Sequence, residues 1–443
     1  MKIEFIKRGA ETRLILIFAG WSTDARYYND CVAEGWDTAV VYDYREMSFP
    51  ELPSQYSTIY IFAYSLGVWA ASICDIPAAA RIAICGSPLP VSDNFGIPEA
   101  IYSGTASGLD ERNLLKFHIR MAGDRKNFET IKKKFPDSSD IPALKEELLC
   151  IATKVKDQCK ASVNRFDKVY IALKDNIFPY VNLNAYWNTC PDTVAVSVDA
   201  PHAVDIAEII RDCVPDTAEI GESFERARTT YGDNAVIQSE ICGRIGDALR
   251  SVLKDSDLIV HSLLEIGVGG GQLTEIWRNI LTPESATYID LFELPVFGIA
   301  QNERYIVGDA EEWLKSTDES FDVILSASTI QWFADPVNFI HTVKRHLNPG
   351  GIAVISTFVK GNLYQLDAIR PCPVIYRKAE EYMNIPDVEA VEWERTLTFP
   401  SSRAMMMHLR LTGVSPRRKA SSVPMATLPT ELTYRPLLLV IKA

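Results

Sequence analysis

Short apolar runs recur along the chain, each bounded by polar or turn-forming residues. In the first half they are LILIF (14–18), AVVY (39–42), IYIFAY (59–64), RIAIC (81–85), VYIAL (169–173) and VAVSV (194–198). Runs of this length match strands buried on both faces, and the segments between them read as helix or loop. The second half repeats the rhythm with LLEIGVGG (263–270), TYIDLF (287–292), YIVGD (305–309), FDVILSAS (321–328) and GIAVIST (351–357). Strands separated by helical segments predict a parallel sheet in each half, an α/β architecture twice over. Residues 110–160 break the rhythm. They are charged, helix-favouring and without strand runs, the pattern of a cap or lid inserted into an α/β unit. A stretch without strong period, CVPDTAEIGE (213–222), marks a seam and divides the chain into domains 1–215 and 216–443. No internal repeat or low-complexity tract is visible.

Composition narrows the class. The 443 residues are 47% apolar and 23% charged, enough for two sizeable cores and unlike collagen, a disordered chain or a disulfide mini-protein. Against 58 Asp and Glu stand 45 Lys and Arg, a net charge of −13, which argues against nucleic acid as a partner. The 9 cysteines form no CxxC, zinc spacing or disulfide framework, so no metal is expected and a reducing cytoplasm fits. The start, MKIEFIKRGAETR, lacks a signal-peptide core. Residues 52–74 carry no charge over 23 positions. Their first seven residues are polar or Pro-bearing and Ser65-Leu66-Gly67 interrupts the rest, so a buried strand and helix are expected there, not a membrane span.

Candidate chemistry in the first half centres on Ala63-Tyr64-Ser65-Leu66-Gly67, which follows a strand and opens a helix. It fits the nucleophile elbow G-x-S-x-G with Ala for the first Gly. The sharp turn needs small flanking residues so that the hydroxyl stands clear of the sheet. An α/β-hydrolase places its triad in the order Ser, acid, His. Residues 1–215 hold two histidines. His118 falls in the lid, whereas His202 follows the last strand. Asp175 follows VYIAL, and Asp167 precedes it and is the weaker choice. Ser65, Asp175 and His202 are therefore the expected triad, with oxyanion amides from Leu66 and from Trp21 in the loop after LILIFAG.

FAGWSTDARYY, VVYDYRE, YSLGVWAAS and AICGSPLPV together resemble the BioG type of pimeloyl-[acyl-carrier-protein] methyl ester esterase, of biotin synthesis. The resemblance spans nearly all of residues 1–210. It implies an α/β-hydrolase fold with a lid over about 110–160, Ser65 as nucleophile and His202 as base. Asp175 rests on its strand placement.

In the second half, Leu264-Glu265-Ile266-Gly267-Val268-Gly269-Gly270-Gly271 ends a strand and opens a helix. Glycines let backbone approach a nucleotide cofactor without Cβ clashes. Asp290 ends the next strand, where ribose hydroxyls would be held. Asp309-Ala310 follows the third strand, where a class I methyltransferase reads adenine, and Ser326 lies on the fourth. Asn348-Pro349-Gly350-Gly351 precedes the fifth. The ordered series points to a Rossmann-like class I methyltransferase using S-adenosylmethionine, held by Glu265, Gly267, Gly269, Gly271, Asp290, Asp309, Ala310 and Ser326.

Residues 222–443 resemble the BioC type, malonyl-[acyl-carrier-protein] O-methyltransferase. The resemblance rests on FERARTTYGDNAVIQSEICGRI with its Tyr231, Ala235, Gln238 spacing, on SASTIQWFADP, on STFVKGNLYQL and on LPTELTYRPLLLVIK. Gln365 departs from it, standing where an acidic residue is common. The resemblance implies that Tyr231 and Gln238 cover cofactor and substrate. It also implies that the chain methylates malonyl-[acyl-carrier-protein] and hydrolyses the methyl ester of pimeloyl-[acyl-carrier-protein]. The acyl carrier protein is acidic, so basic clusters should receive it: Arg125-Lys126, Lys132-Lys133-Lys134 and Arg417-Arg418-Lys419. Two rival readings remain. A hydrolase could be fused to a methyltransferase of another carboxylic acid or natural product, or the first half could be an inactive carrier-docking module.

Overall fold

The computed structural model describes residues 1–443 apart from 50, 137–139, 159–165, 257, 293–299, 368–373 and 415–427. The chain forms two compact units, Met1–Val214 and Pro215–Ala443. Among the described residues no helix is long and apolar enough to cross a membrane, and no disulfide is formed.

The first unit is built on strands β1 (Lys2–Lys7), β2 (Arg13–Phe18), β3 (Asp37–Tyr42), β4 (Thr58–Tyr64), β5 (Ala80–Ile84), β6 (Lys168–Ala172) and β7 (Val194–Val198). They lie side by side as β1-β3-β2-β4-β5-β6-β7. All pairings from β3 to β7 are parallel, and β1 alone runs antiparallel, against β3. The apolar runs explain the centre of the sheet, since β2 and β5 are buried at every position. Strand β1 was not foreseen. Its KIEFIK alternates charged and apolar residues and stays half exposed at an edge, so it shows no apolar run.

Between β5 and β6 the chain leaves the sheet for helices Glu99–Ser107, Glu111–Met121, Arg125–Ile131 and Ile141–Gln158. The helical insertion thus starts about ten residues before the charged block that announced it. Asp110 and Asp124 cap two of these helices by accepting from the amides of Asn113 and Asn127. Leu114, Phe117, His118 and Met121 fall on one face of Glu111–Met121, and all four are buried.

The second unit is a sheet of β8 (Ser262–Ile266), β9 (Ser285–Asp290), β10 (Glu303–Val307), β11 (Phe321–Ser326), β12 (Leu347–Phe358), β13 (Val388–Glu392) and β16 (Pro436–Lys442). The ribbon β14 (Arg395–Thr398) with β15 (Glu431–Tyr434) is separate. The order is β10-β9-β8-β11-β12-β16-β13. Strands β8 to β12 are parallel, and β16 runs antiparallel to both β12 and β13. The order reverses between β8 and β11, and the carboxyl ends of strands at such a reversal are where open α/β sheets bind ligands. Alternate residues of β11 feed opposite cores: Val323 and Leu325 pack with Ile241, Ile245 and Trp277, whereas Ile324 packs with Leu314, Phe339 and Ile340. This mixed, helix-covered sheet is the Rossmann-like class I methyltransferase arrangement. The apolar run PLLLVIK is its inner strand β16, absent from the strands read off the sequence.

Candidate active sites

Ser65 sits between the end of β4 and the helix Gly67–Ile73. Its φ is 56°, in the left-handed region that a residue with a Cβ occupies at a cost of about 1–3 kcal/mol. Close packing holds it there. A Cβ on Gly67 would lie 2.2 Å from the Phe18 carbonyl oxygen, and one on Gly86 would lie 2.3 Å from that of Ser65. The Ser65 amide donates to the Ile84 carbonyl at 2.8 Å. The turn is thus clamped between the ends of β2 and β5.

His202 Nε2 lies 3.0 Å from Ser65 Oγ, and His202 Nδ1 lies 2.7 Å from Asp175 Oδ2. The other Asp175 oxygen accepts from the amides of Ile177 (2.7 Å) and Phe178 (2.8 Å). The imidazole is packed parallel to the Phe178 ring, and its backbone carbonyl accepts from the Tyr64 hydroxyl at 3.0 Å. The three predicted residues therefore form one buried hydrogen-bonded chain. Cys85 lies against Asp175 and His202. Burial pushes its thiol well above the usual range, and both His202 nitrogens already have partners, so Cys85 reads as packing.

A cavity open to solvent reaches Ser65. Trp21 and Leu66 line it beside Ser65, and Tyr102, Phe117 and Leu148 of the helical insertion form its far wall. Among the described residues the backbone N–H groups of Trp21 and Leu66 donate no hydrogen bond. The basic cluster on this unit is partly spent. Lys132 pairs with Glu129, and Lys134 pairs with Asp30 at 2.7 Å. Arg125, Lys126 and Lys133 form no ion pair among the described residues. Arg417, Arg418 and Lys419 lie outside those residues.

In the second unit, Gly267, Gly269 and Gly271 have φ of 72°, 54° and 79°. A Cβ on Gly267 would fall 2.0 Å from Thr329 Oγ1, whereas Gly269 and Gly270 have open space in front of them. The loop thus presents bare backbone. Asp290 accepts from the Gly269 amide at 2.9 Å, and burial raises its carboxyl. Glu265 is fully buried, and burial pushes it up to about 7. Its Oε2 accepts from Trp277 Nε1 (2.6 Å) and Thr274 Oγ1 (2.8 Å), but Oε1 has no partner among the described residues. An orphaned acceptor beside a glycine loop fits a ligand carrying N–H or hydroxyl donors, as S-adenosylmethionine does.

The other predicted contacts have local partners. Asp309 caps the helix Ala310–Ser316 by accepting from the Glu311 amide, and Ala310 opens that helix. Ser326 is fully buried, and its hydroxyl donates to the Ile266 carbonyl at 2.9 Å, tying β11 to β8. Gln238 is buried on the helix Val236–Lys254. Tyr231 has its backbone in the helix Thr217–Asn234, but its side chain lies outside the described residues. Gln365 grips Thr433 through both amide atoms, at 2.7 and 3.1 Å, so its departure from the acidic norm has a structural use. Past β11, the Gln331 amide oxygen and the Trp332 indole N–H are buried and unpaired among the described residues. Nothing in the sequence pattern had singled them out as unpaired.

Residues 1–204 match the family model of BioG, pimeloyl-ACP methyl esterase, and residues 264–355 match that of a methyltransferase domain. A malonyl-[acyl-carrier protein] O-methyltransferase of Bacteroides fragilis is 30% identical over 417 residues, covering 90% of this chain and 84% of that one. Its counterpart from Chlorobium phaeovibrioides is 31% identical over 215 residues, or 46% of this chain and 82% of that one. The crystal structure of BioG from Haemophilus influenzae is 30% identical, with a TM-score of 0.43, covering 46% of this chain and 94% of that one. The similarity to the B. fragilis protein runs through both units. The chain therefore belongs to that protein's family, as a BioG domain followed by a methyltransferase domain whose cofactor is S-adenosylmethionine.

Proposed function

We propose that the chain is a bifunctional cytoplasmic enzyme of biotin-precursor synthesis. Its second domain (216–443) methylates the free carboxylate of malonyl-[acyl-carrier-protein]. Its first domain (1–215), an α/β-hydrolase with a helical lid, removes the methyl group from pimeloyl-[acyl-carrier-protein] methyl ester. The observation that carries the esterase half is the buried chain Ser65–His202–Asp175 at the head of an apolar cavity.

In that half, His202 Nε2 takes the proton as Ser65 Oγ attacks the ester carbonyl. Asp175 holds the Nδ1–H tautomer and steadies the imidazolium, itself pinned by the Ile177 and Phe178 amides. The Trp21 and Leu66 amides receive the oxyanion, and His202 returns the proton to the leaving methanol. Water then resolves the acyl-enzyme by the same route.

In the other half, S-adenosylmethionine supplies an electrophilic methyl group. A malonyl carboxylate is already ionised at neutral pH, so the protein has no proton to remove. Its task is positioning and exclusion of water. Glu265, the three glycines and Asp290 would hold the cofactor, with Asp309 and Ala310 near its base and Ser326 fixing the strand beneath. Tyr231 and Gln238 would close over the site from the leading helices.

Malonyl-[acyl-carrier-protein] incubated with S-adenosylmethionine and the Ser65→Ala protein should gain 14 Da. Wild type should leave this short ester intact yet demethylate the pimeloyl ester, because the lid selects chain length. Failure of either protein to methylate the carrier would favour a methyltransferase of another acid. Methylation with no demethylation of the pimeloyl ester by wild type would reduce the first domain to a docking module.

A further inference from the structure

A second buried Ser–His pair lies beside the triad and takes no part in its proton path. Ser22 Oγ is 3.0 Å from His118 Nε2, and both residues are buried. The two groups come from distant places. Ser22 belongs to the loop after β2, and His118 to the helix Glu111–Met121 of the insertion. His118 is stacked on Phe135 with ring centroids 3.9 Å apart. Burial holds its pKa down to about 4, so near neutral pH the imidazole is uncharged and the contact is a neutral hydrogen bond.

Ser22 has a φ of 64°, again left-handed, and directly follows Trp21, which lines the Ser65 cavity and whose amide donates no hydrogen bond among the described residues. The loop is close to the nucleophile, since a Cβ on Gly20 would lie 3.3 Å from Ser65 Cβ. Trp21 itself is gripped by the insertion. Its indole N–H donates to the Leu144 carbonyl at 3.0 Å, and its ring meets the edge of Phe117 at 4.9 Å. Two consecutive loop residues are thus held by two helices from outside the sheet.

We infer that His118 is a positioning residue: by holding Ser22 in its left-handed conformation it aims the Trp21 amide at the Ser65 oxyanion, so the hydrolase site is complete only when the helical insertion is seated. This rests on the esterase reading of the first domain. The insertion then does more than wall the cavity. Its docking sets one of the two oxyanion donors, and a displacement of about 1 Å at such a donor can cost on the order of 100-fold in rate.

The test uses the full chain and p-nitrophenyl butyrate as probe. His118→Phe keeps the stack on Phe135 and deletes the hydrogen bond. Ser22→Ala deletes the same bond by removing one oxygen, and it serves if the Phe variant fails to fold. Each should lower kcat by about 10- to 100-fold with KM within about twofold, and the double variant should fall no further than the worse single. His118→Gln, which can return a polar atom near Nε2, should regain most of the loss. A rise in KM at unchanged kcat, or unchanged kinetics in both single variants, would overturn the inference while leaving the esterase intact. Absence of any Ser65-dependent hydrolysis by wild type would instead remove the esterase reading and this inference with it.

Discussion

Ser65 and Gly267 stand at equivalent places in the two units. Each follows a buried parallel strand, each precedes a short helix, and each has a left-handed φ, 56° and 72°. One turn keeps a side chain there and bears the strain. The other has no room for one, because a Cβ would collide with Thr329. The contrast follows from the chemistry proposed for each. Ester hydrolysis moves a proton twice, so it needs a nucleophile, a base and an orienting acid already hydrogen-bonded to one another. Methyl transfer to an ionised carboxylate moves no proton, so that site needs bare backbone and acceptors held ready. In the first site Ser65, His202 and Asp175 accordingly satisfy each other, whereas the second site leaves a Glu265 oxygen without a partner among the described residues.

The largest expected effect breaks the first site alone. Asp175→Asn keeps the shape and the bonds from Ile177 and Phe178 but favours the wrong imidazole tautomer. The kcat for pimeloyl methyl ester hydrolysis should fall by roughly 10³–10⁴-fold, with methyl transfer unchanged in the same preparation. A loss under tenfold would mean that Asp175 only packs. The next effect falls on the second site. Gly267→Ala should weaken S-adenosylmethionine binding by at least about tenfold in titration calorimetry and lower the melting temperature of that unit, because both φ and Thr329 oppose the methyl group. Gly270→Ala meets no protein atom within 4 Å, so it should spare the melting temperature and weaken binding only if the cofactor passes over it. Ester hydrolysis should be indifferent to both.

The two sites were legible in the sequence, and the contacts around them were not. The Ser65, Asp175 and His202 side chains are found in one hydrogen-bonded chain because elimination was severe: one strand–turn–helix with small flanks, two histidines, and an acid required after a late strand. The glycine loop was equally visible, since an alternation of glycines after an apolar run has few other uses. Contacts across the insertion were hidden. Ser22 and His118 are 96 positions apart, and neither carries a local signal. Strand β1 was hidden because edge strands can be half charged. The neighbours Glu146 and Glu147 show the same limit at one helix turn. Glu146 is exposed and pairs with Arg45 at 3.1 Å, whereas Glu147 is buried and accepts from the Tyr44 amide at 2.7 Å. No pattern in KEELLC tells which glutamate turns inward.

Glu147 also gives the smallest and most discriminating prediction, because it joins the helix Ile141–Gln158 to the turn after β3 without touching the triad. Burial pushes its carboxyl up from an ordinary 4.5 to about 7, opposed by the Tyr44 amide and by Arg45 and Lys2, and reinforced by Asp43. The folded protein therefore holds this proton more tightly than the unfolded chain does. The resulting stabilisation is full below about pH 4.5 and is lost as pH rises to about 7, so above neutrality the carboxylate is ionised against the cost of its own burial. Glu147→Gln keeps an acceptor for Tyr44 and cannot ionise. Its melting temperature relative to wild type should climb between about pH 4.5 and 7, by an amount worth on the order of 3 kcal/mol, and should level off above that. If the variant and wild type track each other across this range, the insertion is docked by its apolar face alone. If they diverge as expected, the first unit carries a pH-dependent joint between cap and sheet. In the second unit, Glu265 shows a similar rise with no cap to hold, and S-adenosylmethionine should reduce its pH dependence, whereas that of Glu147 should not change.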